Sequence, residues 1–423
     1  MAAYIIEGGH KITGEHTIQG SKNAALPILA ASAATKRKVI LHNCPKLTDI
    51  FSAFRILEHL GCKTIYDEST RTANIDATGL TNHIIPEALM RETRASIFFL
   101  GPLLAALGKA QLTPPGGCPI GERPIDMHIE AMEALGAKPT LSEDGSSITF
   151  EAPEGLIGTR ISLRFPSVGV TENAIMAAIA AKGITVITGC AREPEIIDLA
   201  DFLNAAGAKI YGAGENTIVI EGTSAFHDCE YTVIPDRIAP VTFLAAAAIT
   251  KGDLLLKGVR PDHLDAVLTV LDQSGCRIQR NSPDSLYLNR QSPLRRFPTI
   301  RTAPYPGFPT DAQPFLMALA ALGEGITAIT ENIFENRFRH AHELIKMGAD
   351  IIVDDKVAFI TGVRKLHGAA VESPDLRAGA ALVVAGLAAE GITRVEGIHH
   401  IRRGNEALDA ELNALGAKIT QED

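Results

Sequence analysis

Apolar residues at Ile196, Leu199, Ala200, Leu203 and Ala206 recur at the three- and four-residue steps of one helix face, and Gly207-Ala208-Lys209 closes the run. That spacing predicts an amphipathic helix lying on a sheet. A glycine just past the last apolar position supplies the left-handed backbone conformation that ends a helix. The same ending, glycine then a small residue then a charged one, occurs at Gly61-Cys62-Lys63, Gly136-Ala137-Lys138, Gly207-Ala208-Lys209, Gly275-Cys276-Arg277, Gly348-Ala349-Asp350 and Gly416-Ala417-Lys418. Successive glycines are 75, 71, 68, 73 and 68 residues apart by residue number, a period that marks a repeat architecture. Earlier in each unit an Ala-rich helix leads across a break into a strand, as at 173–182 then 184–188, 241–250 then 254–257, and 378–390 then 392–395. Each unit therefore reads helix, strand, loop, helix, strand, strand.

Six such α/β units fill almost all of the 423 residues. A chain this long exceeds one ordinary core, and the mixed strands favour two globular groups of three units over a solenoid. The stretch 221–233, least like the repeat, is the expected crossing between halves. The first 20 residues carry a strand pattern expected to pair with the second half. The domains expected are 22–232, carrying the loop around Cys118, and 1–21 with 233–423.

Composition narrows the function. Hydrophobic residues make up 46% and charged residues 21%, so the chain is globular. A net charge of −9, no Trp and 5% aromatics argue against a nucleic-acid partner, which needs a basic face and stacking rings. The N-terminus shows no basic-then-apolar leader, and no run of about 18 apolar residues escapes a charge or Gly break. A cytosolic protein with no membrane partner is expected. The six Cys are scattered without a CxxC pair and read as free thiols. No HExxH pattern occurs, and His340 and His342 would diverge on a helix, so no metal site is expected. The run 212–217 lacks the third Gly of a dinucleotide fingerprint, no Gly-Lys-Ser/Thr phosphate loop is present, and no cofactor is expected.

In an acidic chain the positions of Arg and Lys carry information. The loop between each unit's first strand and second helix holds Lys46, Arg123, Arg192, Arg260, Arg337 and Arg403. The macrodipole disfavours a cation at a helix N-terminus, so six in register suggest an anion lying between dipole and side chains. The first helices add a second series: Lys22-Asn23, Arg94 and Ser167-Val168-Gly169 in the first half, Asp236-Arg237, Asp311 and Asp375 with Arg377 in the second. Together these describe an arginine-lined pocket with a few carboxylates, suited to gripping a phosphorylated acid while keeping a base near a hydroxyl. Between residues 114 and 124, three Pro and three Gly precede Arg123 and exclude regular structure around Cys118. A Cys presented there, with Arg123 and Lys22 as candidate neighbours, is poised to form a reactive thiolate. Cys62 and Cys276 replace the Ala of the repeat ending and read as core residues; Cys44 and Cys190 stay ambiguous.

The runs Gly20-Ser21-Lys22-Asn23, Arg94-Ala95-Ser96, Pro115-Gly116-Gly117-Cys118, Arg123-Pro124-Ile125-Asp126, Ala191-Arg192-Glu193-Pro194-Glu195, Pro309-Thr310-Asp311, Glu335-Asn336-Arg337-Phe338 and Asp375-Leu376-Arg377 resemble the UDP-N-acetylglucosamine 1-carboxyvinyltransferase family. The resemblance runs from about residue 5 to the C-terminus. The related 5-enolpyruvylshikimate-3-phosphate synthases share the six-unit architecture but not the Cys loop. The resemblance implies a two-domain inside-out α/β barrel with three units per domain and an active site in the cleft between them. It implies transfer of the enolpyruvyl group of phosphoenolpyruvate to the 3′-hydroxyl of UDP-N-acetylglucosamine, the first committed step of peptidoglycan synthesis.

By this resemblance Lys22, Asn23, Arg123 and Arg403 hold the phosphate end of phosphoenolpyruvate, while Arg337 and Arg377 hold its carboxylate. Arg94, Arg123, Pro124, Ile125, Asp126, Met127, Ser167, Val168, Gly169, Asp311 and Ile333 contact the UDP-sugar. Cys118 donates a proton to the methylene carbon and is the site alkylated by fosfomycin; Asp311 accepts or orients the hydroxyl proton. Thr48, Phe165, Arg402 and Asn405 depart from the family pattern near the sugar-nucleotide. Two other readings remain: the same transfer to another nucleotide or alcohol, and a non-catalytic UDP-sugar-binding paralogue.

Overall fold

The computed structural model describes residues 2–422, and its helix endings show why the repeat glycines recur. Gly61, Gly136, Gly207, Gly275, Gly348 and Gly416 all have φ between 92° and 105°. Each glycine N–H returns to the carbonyl three residues back, and the next N–H returns five residues back, at 2.9–3.1 Å. That pair of bonds satisfies the last carbonyls of the helix. The five-back carbonyls belong to Leu57, Met132, Leu203, Leu271, Leu344 and Leu412, all fully buried, and the small residue after each glycine is buried too. The sequence pattern is thus a helix stop with its own apolar contact, made six times.

The chain divides into two compact units. The first comprises Gly20–Gly117 and Arg123–Ile234; the second comprises the residues through Gln19, Cys118–Glu122, and the chain from Pro235 on. These boundaries fall close to 21/22 and 232/233, but the tip Cys118–Glu122 groups with the second unit while its flanks stay in the first. The crossing comes after the strand Cys229–Thr232, which pairs in parallel with Lys38–His42, so 221–233 still belongs to the first unit.

Each unit contains three sheets among the described residues. A representative sheet runs Lys209–Tyr211, Thr217–Glu221, Ile184–Thr188 and Arg160–Ser162, with only the last pair parallel. The short parallel edge strand is the part of the unit that the helix–strand pattern does not predict. At two or three residues, as in Arg160–Ser162 and Ile300–Arg301, it is too brief for periodicity to register. Near the N-terminus, Ala3–Glu7 pairs antiparallel with Ile392–Glu396 and Ile419–Glu422, and Thr13–Thr17 pairs parallel with Asp253–Lys257. The opening residues therefore complete two sheets of the second unit.

Ala-rich helices lie inside these sheets. In the first unit Lys22–Thr35, Leu100–Leu107 and Val168–Ala178 pack on one another; in the second, Ala239–Ile249, Gln313–Ala320 and Leu376–Ala388 do so. Every residue of Ala239–Ile249 is buried, as expected of a helix without a polar face. The helices begin earlier than the apolar run suggests, at Val168 and Leu376, because Ser167 and Asp375 cap them. Among the described residues, no helix is long and apolar enough to cross a membrane.

Among these buried helices Glu172 is fully buried, and neither carboxylate oxygen has a hydrogen-bond partner. Burial, then the neighbouring charges of Glu195 and Glu193, hold its carboxyl well above the usual range. A raised folded-state value means that the native chain keeps a proton that the unfolded chain has already released. Its contribution to stability is complete below pH 4.5, the ordinary carboxyl value, and is lost as pH rises toward the folded-state value. Glu172→Gln removes that proton and should flatten a slope approaching ~1.4 kcal/mol per pH unit. Urea unfolding of both proteins between pH 4.5 and 8 reads this directly, and parallel profiles would remove Glu172 from the pH response.

Candidate functional site

The three Asp at first-helix starts of the second unit divide into two kinds. Asp236 Oδ1 accepts the N–H groups of Ile238 and Ala239 at 2.7 and 2.8 Å, and Asp375 Oδ1 accepts those of Arg377 and Ala378 at 3.0 Å. Both are helix caps, the task that Ser21, Thr93 and Ser167 perform with hydroxyls in the first unit. The difference between halves is therefore largely a change of capping residue. Asp311 is the exception. Its Oδ1 takes a hydrogen bond from Arg337 Nη2 at 2.8 Å and its Oδ2 one from Arg377 Nε at 3.1 Å. Arg337 Nη1 also lies 3.6 Å from Asp375 Oδ1. The two arginine side chains are 2% exposed and that of Asp311 27%.

The thiol of Cys118 belongs to the same unit. Arg403 Nη1 donates to Cys118 Sγ at 3.1 Å, which sets a guanidinium at the sulfur. Cys118 is half-buried, whereas Cys44, Cys62, Cys190, Cys229 and Cys276 are buried. Burial pushes the thiols of Cys62, Cys190 and Cys276 up to about 12, 11 and 11, which keeps them protonated and inert. The Cys118 tip is held by the Asn336 N–H, which donates to Ile120 O at 3.0 Å. A Cβ at Gly121 would fall 2.2 Å from Glu335 Oε2, so the tip lies close against the end of the Glu335 side chain. Gly404 likewise admits the Arg403 loop beside Arg377, since a Cβ would meet Leu376 Cδ1 at 2.1 Å and Arg377 Nη1 at 3.3 Å.

The first unit places a second set of groups. Lys22 opens the helix capped by Ser21 and is buried, its Nζ donating to Asp49 Oδ2 at 3.1 Å; Asn23 beside it is half-buried. Arg94 donates to the Arg123 carbonyl, and Arg123 holds a left-handed φ of 49°. Burial, then the charge of Arg123, pulls Arg94 down to about 10. Pro124 and Asp126 are exposed, Ile125 and Met127 half-buried; Asp126 caps its own turn through Met127 N–H and pairs with Arg164. Ser167, Val168 and Gly169 form the start of Val168–Ala178, and Gly169 lies against Phe98 and His128. His128 is drawn down to about 4, first by burial and then by Arg94, so it is neutral at ordinary pH. It receives a hydrogen bond at Nδ1 from Asn173 Nδ2 at 3.1 Å, which leaves the ring proton on Nε2.

Not every loop cation joins these groups. Lys46 pairs with Glu68 at 2.5 Å, Arg192 Nε donates to Gly214 O at 3.0 Å, and Arg260 opens a single 3-10 turn at Pro261–Leu264. The side chains of Lys46 and Arg192 thus have local partners. No grouping of His, Cys, Asp and Glu suited to a metal occurs among the described residues.

Glu331 is the positioning group that no sequence signal marks. This buried carboxylate accepts from Thr302 Oγ1 at 2.8 Å, Thr310 Oγ1 at 2.9 Å, Ile333 N–H at 2.8 Å and Phe334 N–H at 3.2 Å. It therefore fixes the residue before Asp311 and the backbone at Ile333 together.

Comparison with known proteins places this geometry. The model of the EPSP synthase (3-phosphoshikimate 1-carboxyvinyltransferase) family matches residues 6–422. The chain is 46% identical over 421 residues to UDP-N-acetylglucosamine 1-carboxyvinyltransferase 2 of Caldanaerobacter subterraneus subsp. tengcongensis, covering 100% of both chains. It is 47% identical to UDP-N-acetylglucosamine 1-carboxyvinyltransferase 1 of Symbiobacterium thermophilum, covering 99% of this chain and 95% of that one. Its structure is similar to the crystal structure of the enolpyruvyl transferase NikO from Streptomyces tendae, with a TM-score of 0.90, 28% identity, and 99% and 98% of the two chains covered.

Glu331→Ala should release the Ile333 and Phe334 amides. Hydrogen bonds to a charged acceptor contribute about 1.5–3 kcal/mol, so exchange at these amides should accelerate by about tenfold or more. Hydrogen exchange read by mass spectrometry or NMR measures it, and unchanged protection at both positions would show that another group holds this turn.

Proposed function

The chain belongs to the UDP-N-acetylglucosamine 1-carboxyvinyltransferase family, and on that premise we propose that it transfers the enolpyruvyl group of phosphoenolpyruvate to the 3′-hydroxyl of UDP-N-acetylglucosamine, releasing phosphate. The observation that carries this reading is a thiol held by one arginine in the same unit as a carboxylate held by two more. Phosphoenolpyruvate carries a phosphate and a carboxylate, and planar guanidinium forks match both.

In this reading Arg337 and Arg377 hold the carboxylate, while Lys22, Asn23, Arg123 and Arg403 hold the phosphate. Arg94, residues 123–127, Ser167, Val168, Gly169 and Ile333 seat the sugar-nucleotide. Cys118 gives its proton to the methylene carbon, leaving the adjacent carbon electron-poor. The sugar hydroxyl oxygen attacks that carbon and its proton passes to Asp311. Phosphate leaves the same carbon and carries off the proton taken by Asp311, while the new methyl group returns a proton to the Cys118 thiolate and the double bond reforms, so atoms and charge balance without net oxidation. The fosfomycin epoxide alkylates Cys118. The reaction serves peptidoglycan synthesis, and with it cell-wall formation, shape and division, in the cytoplasm.

Purified protein should release phosphate from phosphoenolpyruvate when UDP-N-acetylglucosamine is added and not with shikimate 3-phosphate. Turnover with another nucleotide alone would move the acceptor and keep the chemistry. Cys118→Ala should lower turnover by ~10²–10⁴, the range of one general acid. Intact-mass analysis after fosfomycin should show a single adduct at Cys118; an adduct on another Cys would reassign the acid.

A further inference from the structure

Asp311 holds the place that the reading above gives to a substrate carboxylate. Its two oxygens each bind a different arginine, at 2.8 and 3.1 Å, which is how two guanidinium groups clamp a carboxylate. The clamp is rigid: both arginine side chains are 2% exposed, and Arg337 is braced by the cap residue Asp375. The carboxylate is the accessible partner, at 27%. Asp311 lies in the single 3-10 turn Thr310–Ala312, whose cap residue is Pro309. Donors also remain in the clamp, since Arg337 Nε and Arg377 Nη1 are buried without an acceptor.

We propose that Asp311 is an internal stand-in for the substrate carboxylate, displaced from the Arg337–Arg377 clamp when phosphoenolpyruvate binds and free to take the hydroxyl proton only then. This inference rests on the enolpyruvyl-transfer reading. Two carboxylates repel in one clamp, so the incoming one must expel the resident. A carboxylate held by two guanidinium groups is a weak base, because its negative charge is already stabilised; released, it regains its basicity. Filling the clamp thus switches on the base, and the acceptor hydroxyl is deprotonated only with phosphoenolpyruvate in place.

The test is binding of phosphoenolpyruvate, pyruvate and inorganic phosphate to the full chain by calorimetry, without sugar-nucleotide, in wild type, Asp311→Asn and Asp311→Ser. Vacating the clamp should lower the Kd of phosphoenolpyruvate and pyruvate about threefold or more in both variants, leave phosphate within about twofold, and still lower turnover by ~10²–10⁴. A base or orienting group outside the clamp predicts unchanged or weaker carboxylate binding, and that result overturns the proposal. Equal tightening of phosphate overturns it too, since it reports only the loss of a negative charge. Wild type that binds pyruvate but releases no phosphate with UDP-N-acetylglucosamine defeats the function reading, while the pyruvate comparison still decides the clamp.

Discussion

Close approach of buried helices is the constraint on which each unit depends. A helix with no polar face must be covered all round, and small side chains let neighbours come near enough to do so. At Gly101 a Cβ would fall 2.3 Å from the Asn173 carbonyl, so Leu100–Leu107 and Val168–Ala178 meet there backbone to backbone. The same contact is tied by Asn173, whose side chain accepts from Gly101 N–H and donates to Ile97 O at 2.8 and 3.0 Å. With their sides enclosed, these helices have only their ends to offer, and Lys22, Ser167, Asp311 and Arg377 stand at or beside such ends.

Burying charge at those ends requires counter-charge close by. Arg337 and Arg377 are removed from water almost completely, and the desolvation cost of two such ions is offset only by charge-assisted hydrogen bonds of good geometry. Asp311 supplies two such bonds, and Asp375 adds an ion pair with Arg337 at 3.6 Å. Lys22 and Asp49 repeat the arrangement in the other unit. An acidic chain can therefore offer an anion a few concentrated cations without a basic surface.

The repeat was legible in the sequence because its punctuation is a steric necessity: only glycine takes φ near 100° without strain, so six helix stops leave six glycines. Family resemblance supplied the roles proposed for Cys118, Asp311 and the arginines, which residue spacing alone does not give. What stayed hidden depends on contacts distant in sequence. Arg403 reaches Cys118 across 285 residues, and Glu331 gathers Thr302, Thr310 and Ile333 although it stands as an ordinary glutamate after a strand. A cap and an ion-pair partner look alike as letters: Asp236, Asp311 and Asp375 occupy equivalent places, and only coordinates separate backbone acceptors from a guanidinium partner.

That separation shows where chemistry enters a repeated fold. The repeat assigns each first-helix start a capping oxygen, and Ser21, Thr93, Ser167, Asp236 and Asp375 obey it. At Asp311 the rule lapses. The helix there starts through a 3-10 turn with Pro309 at its cap and Pro314 in its first turn, and proline has no N–H to be capped. There the carboxylate accepts from Arg337 and Arg377. Glu331 holds Thr310 in the same turn. One position of six departs from the common local bond, and that departure turns a carboxylate toward two buried guanidinium groups.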